Sequence, residues 1–502
     1  MKMIPERTRP FLLLAVIVLA LGGCHTTQPN GAPGLPAPAA YLSSSLPEIA
    51  GTADVPGGGT QKFVPGGNIP AQWWKLFRSD ELDRVIRLAL ANNPTLSAAQ
   101  ATLREARENY NARSGAEYYP DIAAHISSLR MKSSPAAAGL PSGTKGSIFN
   151  LQHASVDVTY TFDIFGGGQR ELDALRAQVD YQRFQLEAAY LSLTANIVTT
   201  VIREASLREQ LTALNDIVAA EEKQLSLLER QVALGGASRT EVLAQRAQLE
   251  QTRASVPSVE KELSMSRHQL MLLTGNLPAD ENAVARFTLS MLSLPEDLPV
   301  TLPSSLVHQR PDIRAAEALV RAAGARVGVA TANLYPRITL SGSYGLQSGS
   351  VADLFDANST VWNIGAGVLQ PIFNGGKLRA QRRAFVAAHE AAGAQFRHTV
   401  LASYANVADV LRALETGART LRAQAQARTA AEASLEMTRQ QLAAGAVNNI
   451  YLLNAERQYQ QACIGLIQAR AARLSDTAAL FQALGGGWWD PFDQGTVVKS
   501  KE

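Results

Sequence analysis

Charged and aromatic side chains are scarce in this sequence. Asp, Glu, Lys and Arg together make up 18% of the 502 residues, and Phe, Trp and Tyr make up 6%. The 47 basic residues nearly balance the 44 acidic ones, so the formal net charge is only +3. Nucleic-acid binding proteins usually carry a clear excess of basic charge. We therefore expect no nucleic-acid partner.

Cysteine is rarer still, and histidine shows no metal-binding spacing. Cys24 and Cys463 are the two cysteines, which leaves no disulfide framework and no CxxC metal motif. The seven histidines form no HxxxH pair. We also find no nucleophile elbow, no phosphate-binding glycine loop and no paired carboxylates in a compact domain. The sequence therefore predicts that the protein is not an enzyme and uses neither a metal nor a cofactor.

The first 23 residues have the features of a bacterial export signal. Basic residues precede an apolar run of 11 residues at 11–21. A membrane-spanning helix needs about 20 residues, whereas the apolar part of a signal peptide is shorter. The run ends in Leu21-Gly22-Gly23-Cys24, which resembles a lipobox, where cleavage precedes a cysteine that becomes lipidated. We predict a signal peptide at 1–23 and a covalent lipid such as palmitate on Cys24; the alternative is an ordinary secretory signal and an accidental cysteine.

The residues after Cys24 indicate an outer-membrane anchor followed by a tether. Residue 25 is His, not the Asp that usually retains a lipoprotein in the inner membrane. Pro, Gly, Ala and Ser are abundant up to about residue 70, and such a composition cannot build a hydrophobic core. We therefore predict a tether at 24–71, anchored in outer-membrane lipid, with ordered structure beginning near Trp73-Trp74.

The rest of the chain contains an internal repeat with a period of about 210 residues. Four motifs occur twice, in the same order and with similar spacing, which chance similarity between alanine-rich helices does not explain. The paired motifs begin at 93 and 310, 119 and 335, 164 and 372, and 230 and 439. We predict a first repeat at 72–290, a second at 291–487 and a C-terminal tail at 488–502.

Each repeat is predicted to contain a helix, a pair of strands, a very long helix, a short break and another long helix. Apolar residues in the very long helices recur in 4-3-4-3 steps, with Glu221 as a polar exception, which indicates coiled-coil packing. A helix of about 66 residues is roughly 100 Å long; an ordinary helical bundle with hidden breaks is the alternative. The predicted helices are 80–116, 168–233 and 239–274 in the first repeat, and 304–333, 376–443 and 448–484 in the second.

Four segments alternate polar and apolar residues as β-strands do. They lie at 122–129, 155–164, 338–346 and 362–372, and their length suits outer-membrane strands. Once the signal peptide is removed, no apolar stretch is long enough for a membrane-spanning helix, so a membrane crossing would require a closed β-barrel. Four strands are too few, because the smallest such barrels have eight. Several protomers would have to pool their strands; a soluble sheet with one wet face is the alternative.

Glycines mark two kinds of predicted bend. Where a strand becomes a helix, glycine permits a tight turn, and where a long helix breaks, glycine ends it at low cost by adopting a positive φ. Ser238 and Asn448 are good caps for the helices that follow the breaks. The strand-to-helix glycines are Gly166, Gly167, Gly168, Gly375 and Gly376, and those at the helix breaks are Gly235, Gly236 and Gly445.

In combination, these features resemble the TolC/OprM-type outer-membrane efflux proteins, most closely the NodT-like lipoprotein branch. The resemblance covers the mature chain from about residue 72. The motifs that carry it are Trp73-Trp74-Lys75-Leu76-Phe77, Asn93-Pro94, Arg310-Pro311-Asp312-Ile313, Tyr335-Pro336, Ile372-Phe373-Asn374-Gly375-Gly376 and Ala483-Leu484-Gly485-Gly486-Gly487-Trp488.

The resemblance implies a mainly α fold with a small membrane β-barrel. Three protomers would pool four strands each in a twelve-stranded barrel, and their coiled-coil hairpins would form a periplasmic α-barrel. The homotrimer would work with a periplasmic adaptor and an inner-membrane pump, commonly of the RND type, as the exit duct of a tripartite efflux system. A type I protein-secretion conduit and a non-conducting structural lipoprotein that spans the periplasm are the alternatives.

The resemblance also implies a gate at the helix tips. Family members carry Asp residues at the second tip that ring the closed aperture, whereas residues 447–454 contain no carboxylate here. For this chain, the resemblance therefore does not imply the cation selectivity of the family. Amide and phenol side chains could still close the pore by hydrogen bonds; a solvated loop or a helix cap is the alternative. The gate candidates are Asn448, Asn449, Tyr451, Asn454, Arg239 and Glu241.

Overall fold

The computed structural model describes residues 40–41, 49–50, 53–67, 69–134 and 145–488. The predicted signal peptide, the predicted lipidation site Cys24 and the tail beyond Trp488 lie outside the described residues. The described residues form two compact units. The first unit comprises those within Leu103–Gln182 and Ala316–Phe396, and the second comprises the rest.

The chain is mostly helical, and the same succession of helices occurs in each half. Within the described residues, no helix is both long enough and apolar enough to cross a membrane. The helices are α1 Asp80–Asn92, α2 Pro94–Tyr118, α3 Gly167–Ala233, α4 Arg239–Thr274, α5 Pro303–Gln309, α6 Pro311–Ala332, α7 Lys377–Ala443 and α8 Asn449–Ala483.

The strands form two sheets. A small sheet has the order β1-β2-β5, and a larger sheet has the order β3-β4-β6-β7. The strands are β1 Ile49–Ala50, β2 Gln61–Pro65, β3 Asp121–Lys132, β4 Ile148–Phe162, β5 Asp297–Val300, β6 Arg337–Ser348 and β7 Thr360–Leu369.

The long helices confirm the prediction from the heptad spacing. The two longest, α3 and α7, have 67 residues each, and α4 has the predicted bounds of 239 and 274. The predicted seam of α7 is buried, because each of its side chains is at most 1% exposed. These seam residues are Val407, Leu411, Leu414, Ala418 and Leu421.

The predicted single helices at 80–116 and 304–333 were wrong, because each is broken before a proline. Asn93 precedes Pro94 and has ψ 121°, and Arg310 precedes Pro311 and has ψ 125°. The proline ring clashes with a helical conformation of the residue before it, so that residue becomes extended. The Asn93 side chain then donates to the carbonyl oxygen of Leu273 at 2.9 Å, which ties the break to the end of α4.

The small sheet corrects the prediction that order begins near Trp73. β2 pairs in parallel with β5, and Gln61 in β2 is fully buried. Ile69, also within the predicted tether, belongs to the main hydrophobic core. The composition of residues 24–71 concealed this segment, because the strand and the side chains that hold these five residues in place lie more than 230 positions away in the sequence.

An aromatic cluster forms part of the core of the second unit. Trp73, Trp74 and Phe77 lie in one short 3-10 helix and are each at most 2% exposed. The Trp73 ring packs against Phe481 of α8 with 5.5 Å between ring centroids. The Trp74 indole N–H donates to Oδ1 of Asp83 at 2.9 Å, which satisfies the polar end of a buried ring.

The four-stranded sheet lies in the first unit and is antiparallel throughout. β3 pairs with β4, β4 with β6 and β6 with β7, so the two halves of the chain meet at the β4–β6 pair. The four predicted strands are confirmed with shifted ends. β4 begins at Ile148 rather than at 155. β7 ends at Leu369 rather than at 372, because Pro371 has no backbone N–H to donate to a neighbouring strand.

Candidate functional site

One face of the four-stranded sheet is apolar and exposed. Side chains alternate between the two faces along each strand, and the register aligns Ile122 with Val158, Val156 with Tyr344, and Tyr344 with Trp362. Ile126 is 83% exposed and Ile364 is 76% exposed. Other large exposed apolar residues on this face are Ile122, Val156, Val158, Leu340, Tyr344, Trp362 and Val368.

The opposite face of the same sheet is polar in its middle part, and nearer the strand ends Leu129, Met131, Phe149 and Leu369 are exposed on it. The Ser155 hydroxyl donates to Oδ2 of Asp157 at 3.0 Å, and the hydroxyls of Thr161 and Thr339 lie 3.2 Å apart across the β4–β6 pair. His125 and His153 share this face, with 6.2 Å between ring centroids. No cluster of three or more metal-ligand residues occurs anywhere in the described chain. A sheet with one apolar and one hydroxyl-rich face is suited to separating lipid from water.

The two edges of this sheet, β3 and β7, have no partner strand among the described residues. β3 has twelve residues and β7 has ten. An unpaired edge exposes a row of N–H and C=O groups that bind another strand readily. The sheet is therefore incomplete as a single chain and can accept a strand on each side.

The predicted bend after β4 has the backbone that the glycines allow. Gly166 has φ +74°, in the region that other residues rarely adopt. A Cβ atom on Gly167 would lie 3.0 Å from Cβ of Ala332, so a larger residue would crowd α6. Gly168 lies against the carboxylate of Glu117, which Arg113 holds at 2.8 Å. The bend after β7 uses Gly375 and Gly376, with φ +61° and +83°.

The two helix breaks at the ends of α3 and α7 share the same hydrogen-bonded turn. Gly235 has φ +75°, its N–H donates to the carbonyl oxygen of Val232, and the N–H of Gly236 donates to that of Gln231. Gly445 has φ +72° and donates to Leu442, while Ala446 donates to Gln441. This is the Schellman arrangement, in which a left-handed residue closes the last turn of a helix. Each break is therefore encoded by one glycine.

The residues that follow each break cap the next helix. Oγ of Ser238 accepts from the N–H of Glu241 at 3.3 Å, and the Glu241 carboxylate accepts from the N–H of Ser238 at 3.0 Å, which completes a capping box. At the second tip, Oδ1 of Asn448 accepts from the N–H of Ile450 at 3.1 Å. Asn448 and Glu241, both gate candidates, thus have structural roles as caps.

The other gate candidates lie at the surface of the tips. Arg239, the first residue of α4, and Asn454 in α8 are exposed, while Asn449 is half-buried. The Tyr451 ring is 61% exposed, although it follows directly on the cap. Tyr451 therefore presents a large aromatic side chain that is available for a contact outside its own chain.

The sequence analysis missed one cluster of functional interest. Glu221 was noted as a polar member of an apolar seam, and the structure places it beside a cavity that Glu456 also lines. Glu456 lies in α8 among alanines and glutamines and follows no motif, so the sequence offered no signal for it. Each of the two carboxylates has a buried oxygen with no hydrogen-bond partner among the described residues, and burying an unsatisfied carboxylate oxygen is costly.

Comparison with known proteins identifies the family. The model of the outer membrane efflux protein family matches residues 85–276 and 302–486. This chain belongs to the outer membrane efflux protein family. Membership confirms the predicted resemblance, and it confirms a channel rather than an enzyme, located in the outer membrane.

Similar proteins cover nearly the whole length of the chain. The pyoverdine export outer membrane protein OpmQ of Pseudomonas aeruginosa is 31% identical over 487 residues, which are 95% of this chain and 97% of OpmQ. The probable outer membrane lipoprotein SilC of Salmonella typhimurium is 26% identical over 422 residues, which are 83% of this chain and 88% of SilC.

A solved structure supports the same assignment for the fold. The outer-membrane channel OprN superposes with a TM-score of 0.80 at 25% identity, covering 89% of this chain and 99% of OprN. The fold is therefore that of a TolC-like channel. The protein is an outer-membrane channel for efflux.

Proposed function

We propose that this protein is the exit duct of a tripartite efflux system and that it works as a homotrimer. Three copies of the four-stranded sheet would close a twelve-stranded β-barrel in the outer membrane, and the long helices would form an α-barrel in the periplasm. The observation that carries the proposal is the sheet with an exposed apolar face and two unpaired edges. Its four strands are too few to close alone.

Pairing between protomers would solve the problem of the open edges. Backbone N–H and C=O groups cannot stay unpaired in lipid, where each costs several kcal/mol. β7 of one protomer would pair with β3 of the next, and the apolar face would point outward to lipid. The hydroxyl-rich face would then line the pore.

The duct would receive cargo from a periplasmic adaptor and an inner-membrane pump, which we propose to be of the RND type. OpmQ is named for pyoverdine export, and we propose that this chain likewise exports small molecules. A lipid on Cys24 and a tether would add a second hold on the outer membrane. The helix tips would close the periplasmic end of the duct by amide and phenol contacts.

Oligomer mass and conductance test this proposal. Full-length protein extracted from outer membranes with detergent should have three times the protomer mass by native mass spectrometry, and it should give discrete single-channel currents in planar bilayers. A monomer without currents would overturn the pooled barrel.

A tip variant tests the aperture. Tyr451→Ala should raise the mean conductance, because it removes a large side chain that is 61% exposed at the tip and does not touch a cap. Leu234→Ala is the matched control, because Leu234 is an 86% exposed side chain at the first tip that was not a gate candidate. Asn448→Ser keeps a capping oxygen and removes the amide. Equal currents for wild type, Tyr451→Ala and Asn448→Ser would exclude these residues from the gate.

A further inference from the structure

A cavity of about 260 Å³ lies within the second unit, between α3, α7 and α8. Five carboxylates line it, from Asp216 and Glu221 on α3, Glu432 and Glu436 on α7, and Glu456 on α8. Arg439 is the one basic residue that lines it. Acidic residues on a helical surface are common and need no ligand. The two most buried carboxylates of the cavity, Glu221 and Glu456, differ from such residues in their burial and in their unsatisfied oxygens.

Glu221 is buried with only half of its carboxylate satisfied. The residue is 2% exposed. Its Oε1 accepts from the Thr252 hydroxyl at 3.1 Å and from the Gln248 amide at 3.4 Å, both on α4. Its Oε2 has no hydrogen-bond partner in the part of the chain that the structure describes. Burial raises the pKa of this carboxyl, and the two hydrogen bonds oppose the shift.

Glu456 repeats this situation on the neighbouring helix. Its side chain is 11% exposed, and its closest basic partner is Nη2 of Arg439, 4.0 Å from Oε1. Its Oε2 also lacks a partner among the described residues. Burial raises the pKa of Glu456 to about 7, Glu221 adds to the shift and Arg439 opposes it. Two nearly buried carboxylates thus line one cavity, each with an oxygen that no side chain among the described residues satisfies.

Apart from Arg439, which lies 4.0 Å from Glu456, the other charged groups of the cavity do not compensate this pair. Glu432 accepts from Arg428 at 3.2 Å, Glu436 accepts from the Gln440 amide at 3.2 Å, and Asp216 is exposed. The remainder of the wall consists of Ile217, Ala220, Leu435 and Tyr459. An acidic pair therefore stands beside an aliphatic and aromatic wall.

We propose that this cavity binds a small aliphatic ammonium ion. The ammonium group would donate to the free Oε2 atoms of Glu221 and Glu456, and the alkyl chain would pack on Leu435 and the Tyr459 ring. An ammonium group has three N–H donors and suits two carboxylates with unsatisfied oxygens. A metal ion fits less well, since the described residues contain no group of three or more His, Cys, Asp or Glu side chains placed so that they could hold one, and this includes the five carboxylates of the cavity. Binding displaces the proton that Glu456 holds below neutral pH.

Calorimetric titration of the full-length, detergent-solubilised protein with butylammonium chloride tests the proposal. We expect saturable binding at about pH 8 and an affinity at least about tenfold lower at about pH 5, where protons compete for the same oxygens. Tetramethylammonium, which has no N–H, should bind at least about tenfold more weakly than butylammonium. Sodium chloride of equal ionic strength controls for general screening.

Substitutions of the two cavity carboxylates, compared with a control substitution outside the cavity, locate the binding site. Glu221→Gln and Glu456→Gln should each weaken butylammonium binding by about tenfold or more, because each removes a charged acceptor. Glu222→Gln is the matched control, because Glu222 is the next residue on α3, does not line the cavity and pairs with Arg253. It should bind as wild type does.

Several results would overturn the proposal. They are the absence of saturable binding at about pH 8, equal binding of tetramethylammonium, and equal affinity of all three variants. If a variant does not fold, as judged by its circular dichroism, the pH dependence of wild-type binding still decides the question. The titration requires neither a pore nor a trimer, so its failure would leave the proposed duct intact.

Discussion

Nε of Arg473 donates to Oε1 of Gln61 across 3.2 Å, although the two residues are 412 positions apart. Arg473 is 1% exposed and Gln61 is fully buried. The Gln61 amide in turn donates to the carbonyl oxygen of Pro295 at 2.9 Å and to the Thr477 hydroxyl at 3.1 Å. One glutamine thus joins β2, the segment before β5 and the helix α8, and it fixes the chain before the aromatic cluster begins.

Replacing this glutamine should destabilise the second unit. Gln61→Ala leaves the buried Arg473 without its Nε acceptor, and removing one partner of a buried charged donor costs about 2–3 kcal/mol. Thermal unfolding followed by circular dichroism measures the change. Lys62→Ala is the control, because Lys62 is the next residue of β2 and is exposed. The same melting temperature for Gln61→Ala and Lys62→Ala would contradict the role assigned to Gln61.

The two glycines of the first tip should differ in their tolerance of alanine. Gly235→Ala forces a side chain into positive φ, which costs about 1–2 kcal/mol. Gly236→Ala does not, because Gly236 has no positive φ and its new Cβ would lie 3.7 Å from the nearest oxygen. Limited proteolysis at the tip should therefore be faster for Gly235→Ala than for Gly236→Ala. The same rate for both would show that the turn is not set by its left-handed residue.

Neighbouring positions on β7 should differ in their tolerance of charge. Ile364 belongs to the apolar face, and Asn363 to the opposite one. An arginine on a lipid-facing position costs about 2–4 kcal/mol near the middle of the membrane, and much less on a water-facing one. Ile364→Arg should therefore lower the amount of folded protein in the outer-membrane fraction, while Asn363→Arg should not. If Asn363→Arg lowered the amount of folded protein and Ile364→Arg did not, the face that carries Asn363 would be the one in contact with lipid.

Stability should fall as the pH rises through neutrality because of Glu456. Its pKa is about 7 in the folded protein against an ordinary value of 4.5, so the folded state binds the proton more tightly. This contribution is complete below about pH 4.5 and is lost as the pH rises through about 7. The loss amounts to at most about 3 kcal/mol.

Chemical unfolding between pH 5 and 8 measures this effect in the absence of added amines. Glu456→Gln should reduce the fall in the free energy of unfolding across that range, because a neutral amide does not titrate. Glu222→Gln should keep the wild-type dependence. A pH dependence unchanged by Glu456→Gln would assign the titration to another group.

Local features were predictable because neighbouring residues determine them. Glycine at 235 and 445 ends a helix through its own φ, and Ser238 and Asn448 cap the next helix with their own side chains. The heptad spacing and the strand alternation likewise record which face of an element is buried. The breaks at Asn93 and Arg310 were equally local, since the following proline was visible, and they were missed because the apolar pattern continues across them.

The sequence by itself therefore determined the long helices, the four strands of the larger sheet, the turns between these elements and the family. Only the tertiary structure decided which distant segments meet: β2 with β5, β4 with β6, Gln61 with Arg473, and Glu221 with Glu456 around one cavity. The physical reason is that these pairings depend on the free energy of packing between residues hundreds of positions apart. No periodicity or motif within one segment records that energy.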